Sequence, residues 1–209
     1  MKWDLKKIAD WTGAEILSAH EYYFNEIGTD TRKDLTGKFF VALKGDSYDA
    51  HAYLDKAVEA GASALLVHEF DDKFERLKDK VSILKVEDTL VALQEFAHGY
   101  RKTLKTKIIG ITGSNGKTTT KEFTAQIIAP YKKTHFSHGS FNNHWGVPMT
   151  LLEISPETQV AVVEMGMNHA GEIQKLLPVQ WIQNRAALLA EITPRAVVSA
   201  VESVFIAAA

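Results

Sequence analysis

The sequence predicts an α/β protein made of two consecutive units, a small N-terminal domain followed by a phosphate-loop domain. Apolar runs of strand length alternate with segments that have one apolar helical face, as is typical of α/β folds. A glycine-rich turn, GITGSNGKTTT at residues 110–120, lies between a strand-like run and a helical segment. Because a strand, such a turn and a helix N-terminus together form an anion site, the second unit is predicted to bind phosphate.

The composition of the 209-residue chain is ordinary for a globular protein, with 45% hydrophobic and 24% charged residues. The formal net charge of -2 gives no reason to expect a nucleic-acid partner. There is no cysteine, which excludes disulfides and fits a reducing compartment. No apolar stretch approaches the roughly 20 residues of a membrane helix, and no signal peptide is evident. We therefore expect a cytoplasmic protein without membrane insertion.

The first unit is predicted over residues 1–85. A short helix begins after Asp4, which can cap it, and ends at Gly13. Strand-like apolar runs follow at residues 39–43, 64–67 and 81–84. Residues 53–60 have a helical pattern that is closed by Gly61. This alternation indicates a small α/β domain.

Residues 86–106 are predicted to connect the two units through a helix and a basic segment. Asp88 can cap this helix, whose apolar positions fall on one face, namely Leu90, Leu93, Ala97 and Tyr100. The basic run at 101–107 is typical of a solvated linker.

The second unit is predicted over residues 107–209. It begins with a strand at 108–112 and a helix at 118–128, separated by the glycine-rich loop. A buried type of strand at 160–163 ends on an acidic residue, Glu164. The closing segment, residues 178–209, has the pattern of a mildly amphipathic helix interrupted by a proline.

The loop has the residue types that phosphate binding requires. Gly113 and Gly116 allow the backbone to approach phosphate oxygens closely, and Lys117 can reach the outer phosphates as a point charge. Thr118 offers a hydroxyl to Mg²⁺, and Glu164 at the end of the next core strand can hold the same ion. An ordinary glycine turn is the alternative for Gly-Lys-Thr alone.

The loop spacing departs from the usual pattern G-x-x-x-x-G-K-[ST], because Ile111 stands where a glycine is expected. It resembles instead the ATP loop G-x-T-G-x-N-G-K-[ST] of the Mur ligase family and of its relative folylpolyglutamate synthase. Three further segments are similar to family motifs in the same order, at residues 29–67, 140–153 (SFNNHWGVPMTLLE) and 162–173 (VVEMGMNHAGEI). Over about residues 1–177 the chain is identified as a member of this family, most similar to its D-alanyl-D-alanine-adding branch.

The sequence also departs from the family at three places. Residues 49–51 read Asp-Ala-His where the family has Asp-Gly-His, and Ser140 stands where it has Asn. After Leu177 the family continues with a histidine-containing segment, a lysine that becomes carbamylated and a C-terminal domain. Residues 178–209 of this chain show none of these features. We therefore expect a truncated or frameshifted chain with an unrelated tail over 178–209, which does not ligate by itself.

The resemblance implies an N-terminal domain that binds a uridine nucleotide and a truncated ATP-binding domain. It implies ATP-dependent joining of D-Ala-D-Ala to UDP-N-acetylmuramoyl-tripeptide through an acyl phosphate, with ATP and Mg²⁺ as cofactors. Lys117 and Glu164 are the implied catalytic residues, and Thr118 and Glu164 the implied metal ligands. The implied ATP contacts are Thr112, Gly113, Ser114, Asn115, Gly116, Lys117, Thr118, Thr119, Asn142 and Asn143. The implied contacts of the uridine substrate are Thr31, Arg32, Lys44, Asp49 and His51.

Other interpretations remain open at this stage. The two asparagines can simply form a turn before Pro148, Arg32 can be an ordinary surface arginine, and Lys44 a solvated strand end. The chain can also be an amino-acid-adding ligase of the same family, or a nucleotide-binding module without catalysis. The uridine-nucleotide motif argues against the folate enzyme. The sequence does not predict an oligomeric state.

Overall fold

The computed structural model describes residues 3–45, 47–113, 115–139 and 141–166, and the backbone of 204–208. The chain divides into two compact units, Met1–Arg101 and Lys102–Ala209. Each unit combines a mainly parallel sheet with helices, which confirms the predicted α/β class. Within the described residues, no helix is long and apolar enough to cross a membrane.

The first unit is built on a five-stranded sheet. The strands of the unit are β1 (Trp3–Asp4), β2 (Glu15–Ser18), β3 (Tyr23–Phe24), β4 (Ile27–Gly28), β5 (Phe39–Val41), β6 (Lys44–Gly45), β7 (Tyr48–Asp49), β8 (Ala64–Val67) and β9 (Ser82–Lys85). Its helices are α1 (Leu5–Thr12), α2 (Leu54–Glu59) and α3 (Thr89–Thr103), with 3-10 helices at Ala50–Tyr53 and Asp72–Asp79. The sheet order is β2-β9-β8-β5-β4, and only the β2–β9 pair is antiparallel. Two further antiparallel pairs, β1–β3 and β6–β7, lie outside this sheet.

Local signals determine α1 as predicted. The Asp4 side chain accepts a hydrogen bond from Lys7 N–H at 3.0 Å, which caps the first turn. Gly13 ends the helix in the left-handed conformation with φ of 66°, which an L residue with a side chain rarely adopts. Leu5 and Ile8 bury the inner face.

Helix α3 belongs to the first unit, although residues 86–106 were predicted as a connection. The ring of Phe96 packs 5.1 Å from Trp3 and 5.9 Å from Phe39 in edge-to-face contacts. Asp88 caps the helix by accepting hydrogen bonds from the next turn, as predicted. The apolar face of this helix therefore completes the core around β5 instead of spanning between units.

In the part of the second unit that the structure describes, the strands form a four-stranded parallel sheet. Its elements are β10 (Lys107–Gly113), α4 (Lys117–Ile128), β11 (Thr134–Phe136), α5 (Gly146–Glu153), β12 (Val160–Glu164) and β13 (Val204–Ala208). The strand order is β11-β12-β10-β13. Ile109, Ile111 and Val162 of the two central strands form a buried cluster with Ala125 and Ile128 of α4. The parallel register pairs Ile111 with Glu164, so the carboxyl ends of β10 and β12 meet at one edge.

The tail departs from its predicted helical pattern at residues 204–208. This segment is strand β13, which pairs in parallel with β10. Valine, phenylalanine and isoleucine favour strands when a neighbouring strand is present, and periodicity alone does not reveal that neighbour. The rest of the tail, residues 178–203 and 209, lies outside the described residues.

Candidate functional site

The predicted phosphate loop joins the end of β10 to the start of α4. Gly116 precedes the helix with φ of 72°, in the left-handed region. Among the described residues, no heavy atom lies within 4 Å of the position that a Cβ would take there, so the backbone conformation and not space requires glycine. The loop thus delivers the chain to a helix N-terminus, whose N–H groups and dipole attract anions.

Lys117 lies across the loop that precedes it. Its Nζ donates a hydrogen bond of 2.8 Å to the carbonyl oxygen of Gly113, and the residue is half-buried. Of the other predicted ATP contacts, Thr112, Gly113 and Thr118 are half-buried, and Asn115, Gly116 and Thr119 are exposed. Ser114 lies outside the described residues. The loop backbone and the side chain of Lys117 therefore lie close together before α4.

Glu164 is a buried carboxylate at the end of β12, with 1% of its surface exposed. Its Oε1 accepts a hydrogen bond of 2.7 Å from Nδ2 of Asn142, and its N–H donates to Oγ of Ser137 at 3.0 Å. Within the described part of the chain, Oε2 is buried and has no hydrogen-bond partner. A buried carboxylate oxygen without a partner is costly, and it is the kind of atom that a cation or a ligand would satisfy.

These residues fit Mg²⁺ held largely by a nucleotide. Mg²⁺ prefers oxygen ligands and usually takes one or two carboxylates, with water and phosphate oxygens completing its shell. Glu164 supplies such an oxygen, and the hydroxyl of Thr118 is the second predicted ligand. The described residues contain no group of three acidic, histidine or cysteine side chains that could form a metal cage. The donor set therefore suits a shared metal–nucleotide site better than a protein-only metal site.

The two adjacent asparagines have different roles. Asn142 reaches Glu164, as described above. Oδ1 of Asn143 instead accepts hydrogen bonds from the N–H groups of Trp145 and Gly146 at 3.2 and 2.9 Å. The Asn143 side chain therefore caps the start of α5, which is the turn alternative left open by the sequence.

Gly166 allows Asn142 to approach β12 closely. A Cβ on Gly166 would lie 2.9 Å from Oδ1 of Asn142, closer than real contacts allow. The Gly166 N–H also donates to the Asn142 carbonyl oxygen at 2.7 Å. Its position within a family motif was the available sequence signal, although the glycine was not predicted as a site residue.

A second lysine beside the site, Lys121, was not predicted. It is completely buried, and its Nζ donates to the carbonyl oxygens of Ser137 and Gly139 at 2.7 and 2.8 Å. The signal in the sequence is its position, because Lys121 shares the buried face of α4 with Ala125 and Ile128. A lysine within an apolar helical stripe indicates a buried polar partner.

In the first unit, Arg32 is held in a fixed orientation by Asp30. Its Nε and one terminal nitrogen donate to the two Asp30 carboxylate oxygens, both at 2.8 Å. The Arg32 side chain is nevertheless 88% exposed, so its outer face remains accessible to an anion. The side-chain hydrogen bond from Arg32 lowers the pKa of Asp30 far below its usual range. Thr31 lies between them in the turn and is half-buried.

Lys44 lies between two carboxylates. Its Nζ is 3.1 Å from Oε1 of Glu69 and 3.3 Å from Oδ2 of Asp49. The hydrogen bond to Glu69, followed by that to Asp49, raises the pKa of Lys44. This exposed lysine therefore already has two carboxylate partners within the first unit.

His51 uses both ring nitrogens inside the protein. Nδ1 contacts Oδ1 of Asp49 at 2.7 Å, and Nε2 accepts the backbone N–H of His68 at 3.0 Å. Burial lowers the pKa of His51, and the geometry fits the neutral ring with its proton on Nδ1. His51 was predicted to contact the substrate, but both of its ring nitrogens already have partners within the protein. The ring instead connects the β6–β7 hairpin to the end of β8.

Asp49 is ionised and holds the start of the 3-10 helix. Burial opposes its ionisation, but hydrogen bonds from the N–H and ring of His51 and from Lys44 lower the pKa of Asp49 to about 2. Ala50 begins this 3-10 helix, in a conformation that any L residue adopts. The departure from the family glycine at residue 50 therefore causes no backbone strain.

Tyr48 connects the two groups of predicted substrate residues. Burial raises the pKa of its hydroxyl; Tyr53, Asp30 and Asp49 act in the same direction, whereas Arg32 lowers this pKa. Its ring stacks on Tyr53 with the centroids 5.4 Å apart. Arg32 and Asp49 consequently lie within electrostatic range of one exposed aromatic side chain.

In comparisons with known proteins, both units match domains of one family. A sequence model described as "Mur ligase family, catalytic domain" matches residues 23–101, and one described as "Mur ligase middle domain" matches residues 111–195. The second match extends past residue 177, where the motifs alone predict that the likeness ends.

Individual relatives of this chain are named as ligases. The UDP-N-acetylmuramoyl-tripeptide–D-alanyl-D-alanine ligase of Synechocystis sp. is 44% identical over 155 residues, covering 74% of this chain and 34% of the relative. A crystal structure of MurF from Acinetobacter baumannii is similar with a TM-score of 0.75 and 34% identity, covering 83% of this chain and 38% of that one. MurF ligase from Thermotoga maritima in complex with ADP gives a TM-score of 0.63 and 27% identity, covering 73% and 34%. The chain thus spans 34% to 38% of the length of these relatives.

Proposed function

The chain belongs to the Mur ligase family, and from this premise we propose that it is the substrate- and ATP-binding part of a ligase that joins D-Ala-D-Ala to UDP-N-acetylmuramoyl-tripeptide. The similar proteins from Synechocystis and Acinetobacter baumannii carry the name of that activity. Because the chain spans little more than a third of their length, the complete reaction is proposed for the ligase as a whole and not for these residues alone.

One observation carries the proposal for the second unit. The buried Oε2 of Glu164, which has no hydrogen-bond partner among the described residues, lies at the end of the strand beside β10, from which the phosphate loop begins. Met165 N–H donates to the Ile111 carbonyl at 2.8 Å, which fixes the end of β12 against β10. A carboxylate oxygen beside a phosphate loop is the arrangement that a magnesium–nucleotide complex requires.

The proposed reaction brings two anions together, the substrate carboxylate and the γ-phosphate of ATP. Residues of this chain are proposed to offset the repulsion between them. A substrate carboxylate attacks the γ-phosphate of ATP, which gives an acyl phosphate and releases ADP. The amine of D-Ala-D-Ala then attacks the acyl carbon, so that an amide bond forms while inorganic phosphate and a proton are released. Lys117 and the N-terminus of α4 stabilise negative charge on the phosphates, and Glu164 and Thr118 hold the metal. Mg²⁺, when bound, supplies charge neutralisation for phosphoryl transfer.

The first unit is proposed to bind the uridine nucleotide. Arg32 is the main contact, because Asp30 holds its guanidinium ready and leaves it exposed. Forked donors of this kind suit a diphosphate. Asp49 and His51 then position the hairpin beside this site, with Lys44 attached to it through Asp49. A cytoplasmic location belongs to the same proposal, because the reaction would consume ATP.

Calorimetric titration of the purified chain tests this function. We expect saturable binding of UDP-N-acetylmuramoyl-tripeptide and of MgATP, with cytidine diphosphate as the control ligand for the first unit. We expect no phosphate release when D-Ala-D-Ala is added to this chain alone. Failure of both ligands to bind at millimolar concentration would refute the proposal. Phosphate release that depends on a single amino acid would instead indicate an amino-acid-adding branch of the family.

A further inference from the structure

We propose that Lys121 is a positioning residue for Glu164, which balances the charge of this carboxylate and fixes the segment around it while leaving Oε2 open to a metal. The inference rests on the proposed function of Glu164 as a ligand of a magnesium–nucleotide complex. It concerns a residue that makes no contact with the nucleotide itself in this account.

The ammonium group of Lys121 has three N–H donors, and three oxygens surround it. These are the carbonyl oxygens of Ser137 and Gly139, at 2.7 and 2.8 Å, and Oε1 of Glu122, at 3.1 Å. Oε2 of Glu164 lies 4.0 Å from Nζ, beyond hydrogen-bond distance. Lys121 therefore makes no direct hydrogen bond to Glu164, and it does not occupy the oxygen that a metal would use.

Burial makes this charge balance necessary. Lys121 is 0% exposed and Glu164 is 1% exposed. An isolated ion at such a depth is strongly disfavoured, whereas an opposite charge close by offsets much of the cost. The ammonium group of Lys121, 4.0 Å from Oε2, thus offsets part of the cost of burying the Glu164 carboxylate.

Lys121 also fixes the segment that surrounds the carboxylate. Its hydrogen bonds hold the carbonyl oxygens of residues 137 and 139. The side chain of Ser137 accepts the N–H of Glu164, and Asn142, shortly after this segment, donates to Oε1. Lys121 therefore anchors the segment that contains Ser137, which binds the backbone of Glu164. From this segment the chain continues to Asn142, which binds the side chain of Glu164.

Supporting residues of this kind tune a metal site without touching the metal, and their loss typically lowers metal affinity by about 10- to 100-fold. Lys121→Met tests the proposal, because it keeps an unbranched side chain in the apolar stripe and removes the charge and the donors. ADP affinity is measured by calorimetry with and without Mg²⁺. We expect the Mg²⁺-dependent gain in affinity to fall by about 10-fold or more, with metal-free binding nearly unchanged.

Two further variants complete the experiment. Lys121→Gln keeps amide donors for the two carbonyl oxygens but removes the charge, and it should also lose much of the Mg²⁺ gain. This variant carries the test if Lys121→Met does not fold. Lys133→Met is the matched control in the same unit, because Lys133 forms a surface ion pair with Glu157, and it should keep the full gain.

The outcomes separate the inference from the proposed function. A parent chain that does not bind ADP in the presence of Mg²⁺ contradicts the proposed function. A parent that binds, with a Mg²⁺ gain lost in Glu164→Gln but fully retained in Lys121→Met or in Lys121→Gln, overturns the role of Lys121 alone. Equal losses of metal-free and Mg²⁺-dependent binding in Lys121→Met would indicate a merely structural lysine and would also overturn it.

Discussion

Asn142 donates a hydrogen bond of 2.7 Å from Nδ2 to Oε1 of Glu164, and this bond joins the segment before α5 to the end of β12. The neighbouring Asn143 turns its side chain the other way, onto the N–H groups at the start of α5. Two consecutive residues of the same type therefore serve the carboxylate and the helix separately, and substitution can distinguish them.

Asn142→Ala should weaken the effect of Mg²⁺ on nucleotide binding. The substitution removes the hydrogen bond that orients Glu164 and leaves its Oε1 without this donor. We expect a loss of Mg²⁺-dependent affinity toward the lower end of the roughly 10- to 100-fold range typical of supporting groups, and smaller than the loss in Glu164→Gln. Calorimetry with and without Mg²⁺ measures it.

Asn143→Ala is the matched control for this prediction. It should destabilise the second unit by about 0.5–2 kcal/mol through loss of a helix cap, with the Mg²⁺ dependence retained. Urea denaturation measures the stability change. Equal Mg²⁺ effects in both variants would contradict the separation of roles.

Gly116→Ala should impair the phosphate loop through backbone strain. The left-handed conformation costs an L residue about 1–2 kcal/mol, and no steric clash is added at this position. We expect lower stability and weaker ATP binding. Gly13→Ala places the same strain at the end of α1, where φ is 66°, and should lower stability without changing ATP affinity. Unchanged ATP affinity in Gly116→Ala would show that the loop tolerates another conformation.

Elements with local signals could be predicted, as α1 illustrates. Asp4 and Gly13 directly flank the helix that they delimit, so the local sequence contains both signals. Lys121 could not be predicted in the same way, because its acceptors lie 16 and 18 residues along the chain and only the folded backbone brings them together. The core position of α3 likewise depends on distant partners such as Trp3.

In the candidate site, too, local features could be predicted from the sequence, whereas contacts between distant residues could not. The loop from Gly113 to Lys117 was predictable because its two glycines and its lysine fall within five consecutive residues. The use of both His51 nitrogens was not, because one partner is the backbone N–H of His68, which follows β8 and lies 17 residues along the chain. Residue type alone predicts that a histidine can bind a ligand and says nothing about partners that already occupy it.

His51 should make the stability of the chain depend on pH. Burial places its folded pKa below the unfolded value of 6.5, so the unfolded chain binds the proton more readily. The His51 contribution is therefore full above pH 6.5 and is lost as the pH falls through the window below it. Asp49, with a pKa of about 2 against 3.8, loses its contribution only at lower pH.

Urea denaturation at pH 7.5 and 5.0 measures this effect. The free energy of unfolding should fall toward pH 5.0, with a slope from His51 of at most about 1.4 kcal/mol per pH unit. His51→Gln should reduce the slope, because it removes the titrating ring. Glutamine is chosen because its amide oxygen can still accept the His68 N–H. Parallel pH profiles for parent and variant would contradict the assignment of a neutral buried ring.

Arg32→Ala should weaken binding of a uridine diphosphate sugar while leaving stability unchanged. The lost charge-assisted contacts correspond to about 1.5–3 kcal/mol, or roughly 10- to 150-fold in dissociation constant. Asp30→Asn should have a smaller effect, because it loosens the orientation of the guanidinium and keeps its charge. Calorimetric titration gives the order of the two variants, and a parent-like affinity in Arg32→Ala would remove this residue from the site.

The central claim is that the loop between β10 and α4 binds the phosphates of ATP through Lys117, and calorimetric titration of Lys117→Ala with ATP in the presence of Mg²⁺ tests it most directly. The helix N-terminus and the loop backbone remain in this variant, so some binding should survive. The lost charge-assisted contact predicts a penalty of about 1.5–3 kcal/mol, or roughly 10- to 150-fold in dissociation constant. Lys133→Met, on the surface of the same unit, should bind as the parent does. A Lys117→Ala variant that binds ATP and Mg²⁺ as tightly as the parent would contradict the phosphate site and with it the proposed ligase function.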